Sequence, residues 1–200
     1  MFEKVTEFEN KIAEFFGSPY AVATDCCTHA IELCLIHLKS NNVTFPKHTY
    51  LSIPFLGDKL KLNWEWKYEE WYEFYNIGNT PIYDAATLWK KNSYILNSFM
   101  CISFQFKKHL SLGRGGVILC SNKDDYESLV KLSYDGRHRG PAWADQNISS
   151  IGYHYYMTPE TAIMGLNKFN DAIEKPYTPW SYKNYPDISL NKVWIKNENI

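Results

Sequence analysis

Apolar positions in the first sixteen residues recur three and four apart, at Val5, Phe8, Ile12, Phe15 and Phe16. That period belongs to an amphipathic helix, and Gly17 is placed to stop it, so a helix is expected over 3–16. Tyr20 to Thr24 is a short β-rich run, Asp25-Cys26-Cys27-Thr28 is a polar break, and His29 to Leu38 has helical composition. The unit reads as strand, tight turn, helix. Val43 to Phe45 is a second strand candidate. Beyond it Trp64, Trp66, Trp71 and several tyrosines show no period that decides between strand and helix. A short strand is expected within Thr80–Ala86, ending in the carboxylate of Asp84, and a buried one over Phe99 to Phe104. A strand at Val117–Cys120, a polar-faced helix at Lys123–Ser133 and a helix at Thr161–Phe169 follow. From Lys175 the composition shifts to Pro, Tyr, Asn and Lys, with only Ile188 to Ile195 suggesting a strand or a docked tail.

Strands alternating with helices predict an α/β domain. Two hundred residues, 45% of them hydrophobic, are enough for one domain with a substantial core. Lys plus Arg number 21 against 22 Asp plus Glu, so no basic field points to nucleic acid or an anionic membrane. The N-terminus lacks a basic stretch followed by an apolar core, and no apolar run approaches about 18 residues, so a cytoplasmic chain is expected. Cys26, Cys27, Cys34, Cys101 and Cys120 lack Cys-x-x-Cys spacing and read as reduced structural thiols. The histidines have no ligand spacing, and no metal is expected.

Candidate chemistry gathers after the strand at Phe99–Phe104, where Lys107-Lys108 is followed by Gly113, Gly115 and Gly116. A lysine at a strand end in a cleft is partly desolvated, which lowers its pKa and frees the amine to attack a carbonyl. The same pair also suits a solvated basic turn. Thr28 stands either as an ordinary N-cap or, with the free N–H groups of its helix start, as a phosphate holder. Asp84 suits a turn or cap as well as a site.

The run Ser103-Phe-x-x-x-Lys108, five further residues to the next glycine, then x-Gly-Gly, resembles the cofactor-lysine segment of the DegT/DnrJ/StrS nucleotide-sugar aminotransferases. That register puts the Schiff-base lysine at Lys108, not Lys107, and the phosphate-contacting serine at Ser103. Other segments resemble the family in the same order: Cys26-Cys27-Thr28 at its phosphate cup, with Cys27 in place of a glycine, and Pro46-x-x-Thr49-Tyr50, whose Tyr50 would stack on the cofactor ring. Asp84-Ala-Ala-Thr87 puts Asp84 under the pyridine nitrogen and Thr87 in place of the family's Gln. Asp135 to Gly140 loosely resembles its Arg-x-x-His-Gly turn. Gly152-Tyr-His154-Tyr-Tyr156-Met carries His154 and Tyr156 where relatives have an Asn and an Arg, the Asn reaching the phosphate of a second subunit.

The resemblance implies a three-layer α/β/α fold of the aspartate-aminotransferase type with a mostly parallel sheet. It implies a compact large domain over 1–173, a residual tail over 174–200 in place of most of the small domain, and a homodimer with shared sites. It implies pyridoxal 5'-phosphate as cofactor and amino transfer from an amino acid, glutamate being the expected donor, to the keto sugar of a nucleotide sugar. Lys108 would then be nucleophile and proton carrier, and Asp84 would sustain the electron sink. A dehydratase or decarboxylase using the same cofactor, or a cofactor-binding inactive subunit of a longer homologue, are the alternatives.

Overall fold

A computed structural model describes residues 2–195. The chain runs α1 (Glu3–Phe16), β1 (Tyr20–Thr24), α2 (Cys27–His37), β2 (Asn42–Pro46), α3 (Ser52–Lys59), β3 (Asn63–Lys67), β4 (Tyr75–Asn76), β5 (Ile82–Asp84), β6 (Phe99–Ser103), β7 (Gly116–Cys120), α4 (Lys123–Ser133) and α5 (Pro159–Glu174). Gly17 ends α1 in the left-handed region at φ 76°, as its position foretold. Thr158 caps α5 and Pro159 occupies its first turn, so that helix starts earlier and runs further than the apolar pattern at 161–169 suggests.

Five strands form one sheet in the order β1-β7-β6-β5-β4, and β2 and β3 pair in parallel beside it. The expected mostly parallel sheet is not what forms: β1–β7, β7–β6 and β5–β4 are antiparallel, and only β5–β6 is parallel. The reason is local. β6 and β7 are joined by a loop with no helix, and without a crossover consecutive strands must run in opposite directions.

Helices cover both faces, as three layers require. Along β6, Met100 and Ile102 point into the core shared with α1 and α5, while Phe99 and Cys101 point into the core shared with α2 and α4. Val117 and Leu119 alternate with Ile118 and Cys120 on β7 in the same way. Such central strands, buried on both faces, read as continuous apolar runs and are the easiest part of the sequence to place. Gly165 lets α5 lie against α1, because a Cβ there would come within 2.5 Å of the Phe8 ring. On the inner side of α1, Glu9 is buried and accepts from the Ala23 N–H at 2.7 Å. The Arg139 guanidinium closes on it with two bonds of 2.7 and 2.9 Å, which pins the Asp135–Gly140 turn to the body of the fold.

Among the described residues, the segment after α5 is a docked tail without strand. Glu73 N–H donates to the Trp180 carbonyl at 2.8 Å, Tyr182 N–H to that of Trp71 at 3.1 Å and Ile188 N–H to that of Lys47 at 3.0 Å. Ile188 is buried, and Trp194 packs against Trp64, Trp66 and Phe55. Residues 196–200 of the expected tail lie outside the described residues. Among the described residues no helix is long and apolar enough to cross a membrane.

Candidate active site

β1, β5 and β6 end at one edge of the sheet, and there a cleft of about 410 Å³ opens. Cys27, Thr28, Tyr50, Asp84, Thr87, Ser103 and Lys108 all line it, so seven of the eight expected site residues come together from distant parts of the chain. His154 does not. It lies on the surface, with Nδ1 3.1 Å from Asp135 Oδ2, and does not line the cleft of its own chain.

The β6–β7 loop presents the lysine. Gln105 O accepts from Lys108 N–H at 2.8 Å, closing a tight turn, and Phe106 N–H donates to Gly113 O at 3.1 Å to hold the arch shut. Gly113 has φ 79° and Gly115 φ 153°, both regions that disfavour a side chain. Lys107 is exposed while Lys108 turns inward, its Nζ 4.8 Å from the centre of the Trp180 ring. Burial pushes the Lys108 ammonium below the usual lysine value, with Lys107 adding repulsion, against the opposing pull of Asp84 and Cys27.

Asp84 ends β5 and is buried. Its Oδ1 accepts from the Ala86 N–H at 3.0 Å, and its Oδ2 accepts from the Tyr75 hydroxyl. That phenol proton is spent on the carboxylate, so Thr49 donates to the Tyr75 oxygen, and the three residues form one relay. Burial pushes the Asp84 carboxyl above the ordinary range, only partly offset by Tyr75, Ala86 N–H and Lys108. A cationic group beside it would draw it back toward the ionised form.

At the far end of the cleft α2 points its first turn inward. The helix begins at Cys27 with Cys26 as its cap, Cys26 Sγ accepting from His29 N–H at 3.5 Å, so Thr28 is not the cap but a first-turn residue. Its hydroxyl meets Ser52 Oγ at 2.7 Å. Cys27 keeps ordinary helical backbone, so the substitution of glycine by cysteine there creates no strained φ. The N–H groups of Cys27 and Thr28 find no acceptor among the described residues. Gly116 is what lets β7 come so near, since a Cβ on it would lie 2.5 Å from the Cys27 nitrogen.

Arg114 staples the glycine loop to this helix start, donating from Nη2 to Asp25 Oδ2 at 2.7 Å and from Nε to the Asp25 carbonyl at 3.2 Å. The other Asp25 oxygen lies 2.6 Å from His29 Nδ1. Burial works to lower the His29 pKa, but the bond to Asp25 outweighs it and holds the ring up to about 9. Asp25, Cys26 and His29 bring ligand atoms within 4.8 Å of one another, yet the guanidinium on Asp25 and the direct His29–Asp25 bond already occupy that corner.

Sequence reasoning missed Thr49, Tyr75, Trp180 and Tyr185. Thr49 stood within the Pro46–Tyr50 segment, where only the neighbouring aromatic was singled out. Tyr75 sits in the aperiodic stretch, and Trp180 and Tyr185 belong to the tail, which folds back until Tyr185 lines the cleft. The Tyr185 ring packs on Trp71 and Trp180, and burial followed by the nearby Asp84 pushes its phenol well up, so it stays a neutral hydroxyl.

A three-layer α/β/α arrangement, with a lysine, a buried carboxylate and an open helix N-terminus gathered at the strand ends, is the large-domain fold of the aspartate-aminotransferase type. The chain belongs to the DegT/DnrJ/EryC1/StrS aminotransferase family, whose profile matches residues 1–53 and 86–175. Lys108, Ser103 and Thr28 fall inside the matched stretches, whereas Asp84 lies just before the second. No curated protein matches. Among solved structures, AtS13 from Actinomadura melliaura is similar with TM-score 0.74 and 17% identity, over 86% of this chain and 61% of that one. The sugar aminotransferase CalS13 from Micromonospora echinospora gives 0.69 and 15%, over 86% and 61%. Spr1654 from Streptococcus pneumoniae in its PLP form gives 0.70 and 16%, over 86% and 60%. At these identities the likeness establishes the fold, and the chain spans about three fifths of each relative's length. The family works with pyridoxal phosphate, and the cleft fits that group: an amine, a carboxylate and unpaired backbone donors line one space.

Proposed function

We propose that this chain is a pyridoxal-phosphate-dependent sugar aminotransferase that moves an amino group from an amino acid, with glutamate as donor, to the keto carbon of a nucleotide sugar. The observation that carries this is the meeting of Lys108, Asp84 and the open first turn of α2 in one cleft. When bound, the cofactor supplies an electron sink for proton removal at the amino carbon.

The chain's own residues divide the remaining work. Lys108 would hold the cofactor through its amine and would serve as the base and acid that moves the proton at the reacting carbon. Its burial favours the neutral amine that both tasks need. Asp84, steadied by the Thr49–Tyr75 relay, would supply the carboxylate for the ring nitrogen. Thr28, Ser103 and the N–H groups of Cys27 and Thr28 would hold the phosphate. Tyr50, exposed at the mouth, would stack on the ring, and Thr87 lines the same cleft. His154, which does not line its own cleft, is assigned to the cleft of a second copy in a cytoplasmic homodimer. Residues 1–173 act as the large domain, with 174–200 as a tail.

An absorbance titration with pyridoxal phosphate tests this, repeated after glutamate and after nucleotide keto sugars. The expected result is a visible band on cofactor addition, its loss with glutamate and its return with a keto sugar. A band that glutamate leaves unchanged would support the inactive-subunit reading instead, and carbon dioxide release would support a decarboxylase.

A further inference from the structure

The docked tail brings one polar group into the cleft that the division of work above leaves idle, the hydroxyl of Tyr185. The residue is clamped on several sides. Its carbonyl accepts from His48 Nδ1–H at 2.9 Å, and its ring packs against Trp71 and Trp180 with centroids 5.6 and 5.7 Å away. Further on, Ile188 N–H donates to the Lys47 carbonyl at 3.0 Å, and the Trp71 indole N–H donates to the His48 carbonyl at 2.7 Å. The anchor is therefore the segment just before Tyr50, and the Tyr185 side chain is held in place before any ligand arrives. Such preorganisation lowers the ordering cost of a hydrogen bond to a ligand.

Tyr185 lines the cleft, and its hydroxyl has no hydrogen-bond partner among the described residues. Burial, then Asp84, Cys27 and Tyr50, hold the phenol above the ordinary tyrosine value, and those three residues line the same cleft, so a neutral O–H stands inside it. Nearby hydroxyls are engaged: Thr87 Oγ1 donates to the Glu73 carbonyl at 3.1 Å, Tyr75 donates to Asp84, and Thr28 pairs with Ser52 at 2.7 Å. Of the polar atoms that pyridoxal phosphate presents, the reading above gives the phosphate to the start of α2, the ring nitrogen to Asp84 and the aldehyde to Lys108. The ring hydroxyl is left, and a protonated ring nitrogen makes it acidic, so its oxygen is an anionic acceptor that a neutral donor binds strongly. We propose that Tyr185 is a further cofactor-binding residue, its hydroxyl donating to the ring hydroxyl oxygen of pyridoxal phosphate and so fixing the orientation of the ring between Lys108 and Asp84. The assignment rests on the aminotransferase reading. Thr87, three residues after Asp84, does not take this part because its proton is directed at Glu73.

The test compares the wild type with Tyr185→Phe, which keeps the ring against Trp71 and Trp180 and removes only the hydroxyl. Two probes are titrated by calorimetry: pyridoxine 5'-phosphate, which has the ring hydroxyl and the phosphate but no aldehyde to bond Lys108, and its analogue lacking the ring hydroxyl. Tyr185→Phe is expected to bind the first about ten- to a hundredfold more weakly and the second within twofold of the wild type. An equal loss for both probes, which is what a residue of the wall alone gives, or a loss under twofold for the first, overturns the assignment. So does a loss that depends on the ring hydroxyl in Gln105→Ala but not in Tyr185→Phe, since the Gln105 amide also lines the cleft. The visible band with pyridoxal phosphate itself is read separately. Its absence in the wild type would sink the aminotransferase reading and this assignment with it, whereas a normal band without the hydroxyl-dependent loss sinks the Tyr185 contact alone.

Discussion

Replacing Tyr75 by Phe removes one hydroxyl from the Thr49–Tyr75–Asp84 relay and leaves the ring in place against Trp71. Thr49, Tyr75 and Asp84 are 1%, 4% and 5% exposed, so water cannot stand in for the lost group. A hydrogen bond to a charged group contributes about 1.5–3 kcal/mol and a neutral one about 0.5–1.5, so the loss should be about 2–4.5 kcal/mol. For a chain of this size that lowers Tm by about 4–18 °C. The sign with pH follows from the raised Asp84 value. A group raised in the folded state costs nothing below its ordinary value, and its cost grows as pH rises through the raised one, because the buried carboxylate must then ionise. Without the Tyr75 donor that cost is larger, so the gap between wild type and Tyr75→Phe should be small at pH 4 and widen by pH 8. Thermal unfolding of the cofactor-free proteins across that range measures it. Equal gaps at both ends, or no loss at pH 8, would refute the claim that this hydroxyl supports a buried carboxylate.

Asp84→Asn should still take up pyridoxal phosphate, since the α2 first turn and Lys108 are untouched, yet lose at least tenfold in the rate at which glutamate bleaches the cofactor band; a normal rate would remove Asp84 from the ring nitrogen. Glu9→Gln breaks a buried pair and leaves the Arg139 charge uncompensated, so denaturant unfolding should show a loss of about 3–5 kcal/mol; a loss under 1 would mean the pair is solvated in solution.

How much of this was legible in the sequence varies with the kind of signal. The 3–16 helix, its glycine stop and the strand at β6 were readable because apolar period and apolar run length report burial directly, and the structure places both where the pattern does. The start of α2 was misread because Thr28 is the better cap by residue type, while the actual cap is a cysteine whose sulfur accepts weakly and leaves little trace in sequence. Sheet direction was inherited from the family resemblance, and the short helix-free β6–β7 connection overrides it. The relay was invisible for a different reason: Tyr75 meets Asp84 only when β4 pairs with β5, and Thr49 reaches Tyr75 from the segment after β2, contacts that no local pattern encodes. Tyr185 enters the cleft, and Trp180 a hollow beside it, through a tail whose composition reads as loop, and only its backbone bonds to Trp71, Glu73 and Lys47 reveal that it docks.

Of the two adjacent lysines, Lys108 is the one proposed to hold the cofactor. Lys107 beside it is exposed and faces its own Phe106 ring, whereas Lys108 is turned inward over Trp180 and lines the cleft with Asp84. Borohydride reduction of the protein with bound pyridoxal phosphate, followed by peptide mapping in a mass spectrometer, tests this directly. A pyridoxyl mass addition is expected on Lys108 and should be abolished in Lys108→Gln; an addition on Lys107, or one that survives in Lys108→Gln, would remove Lys108 from that role.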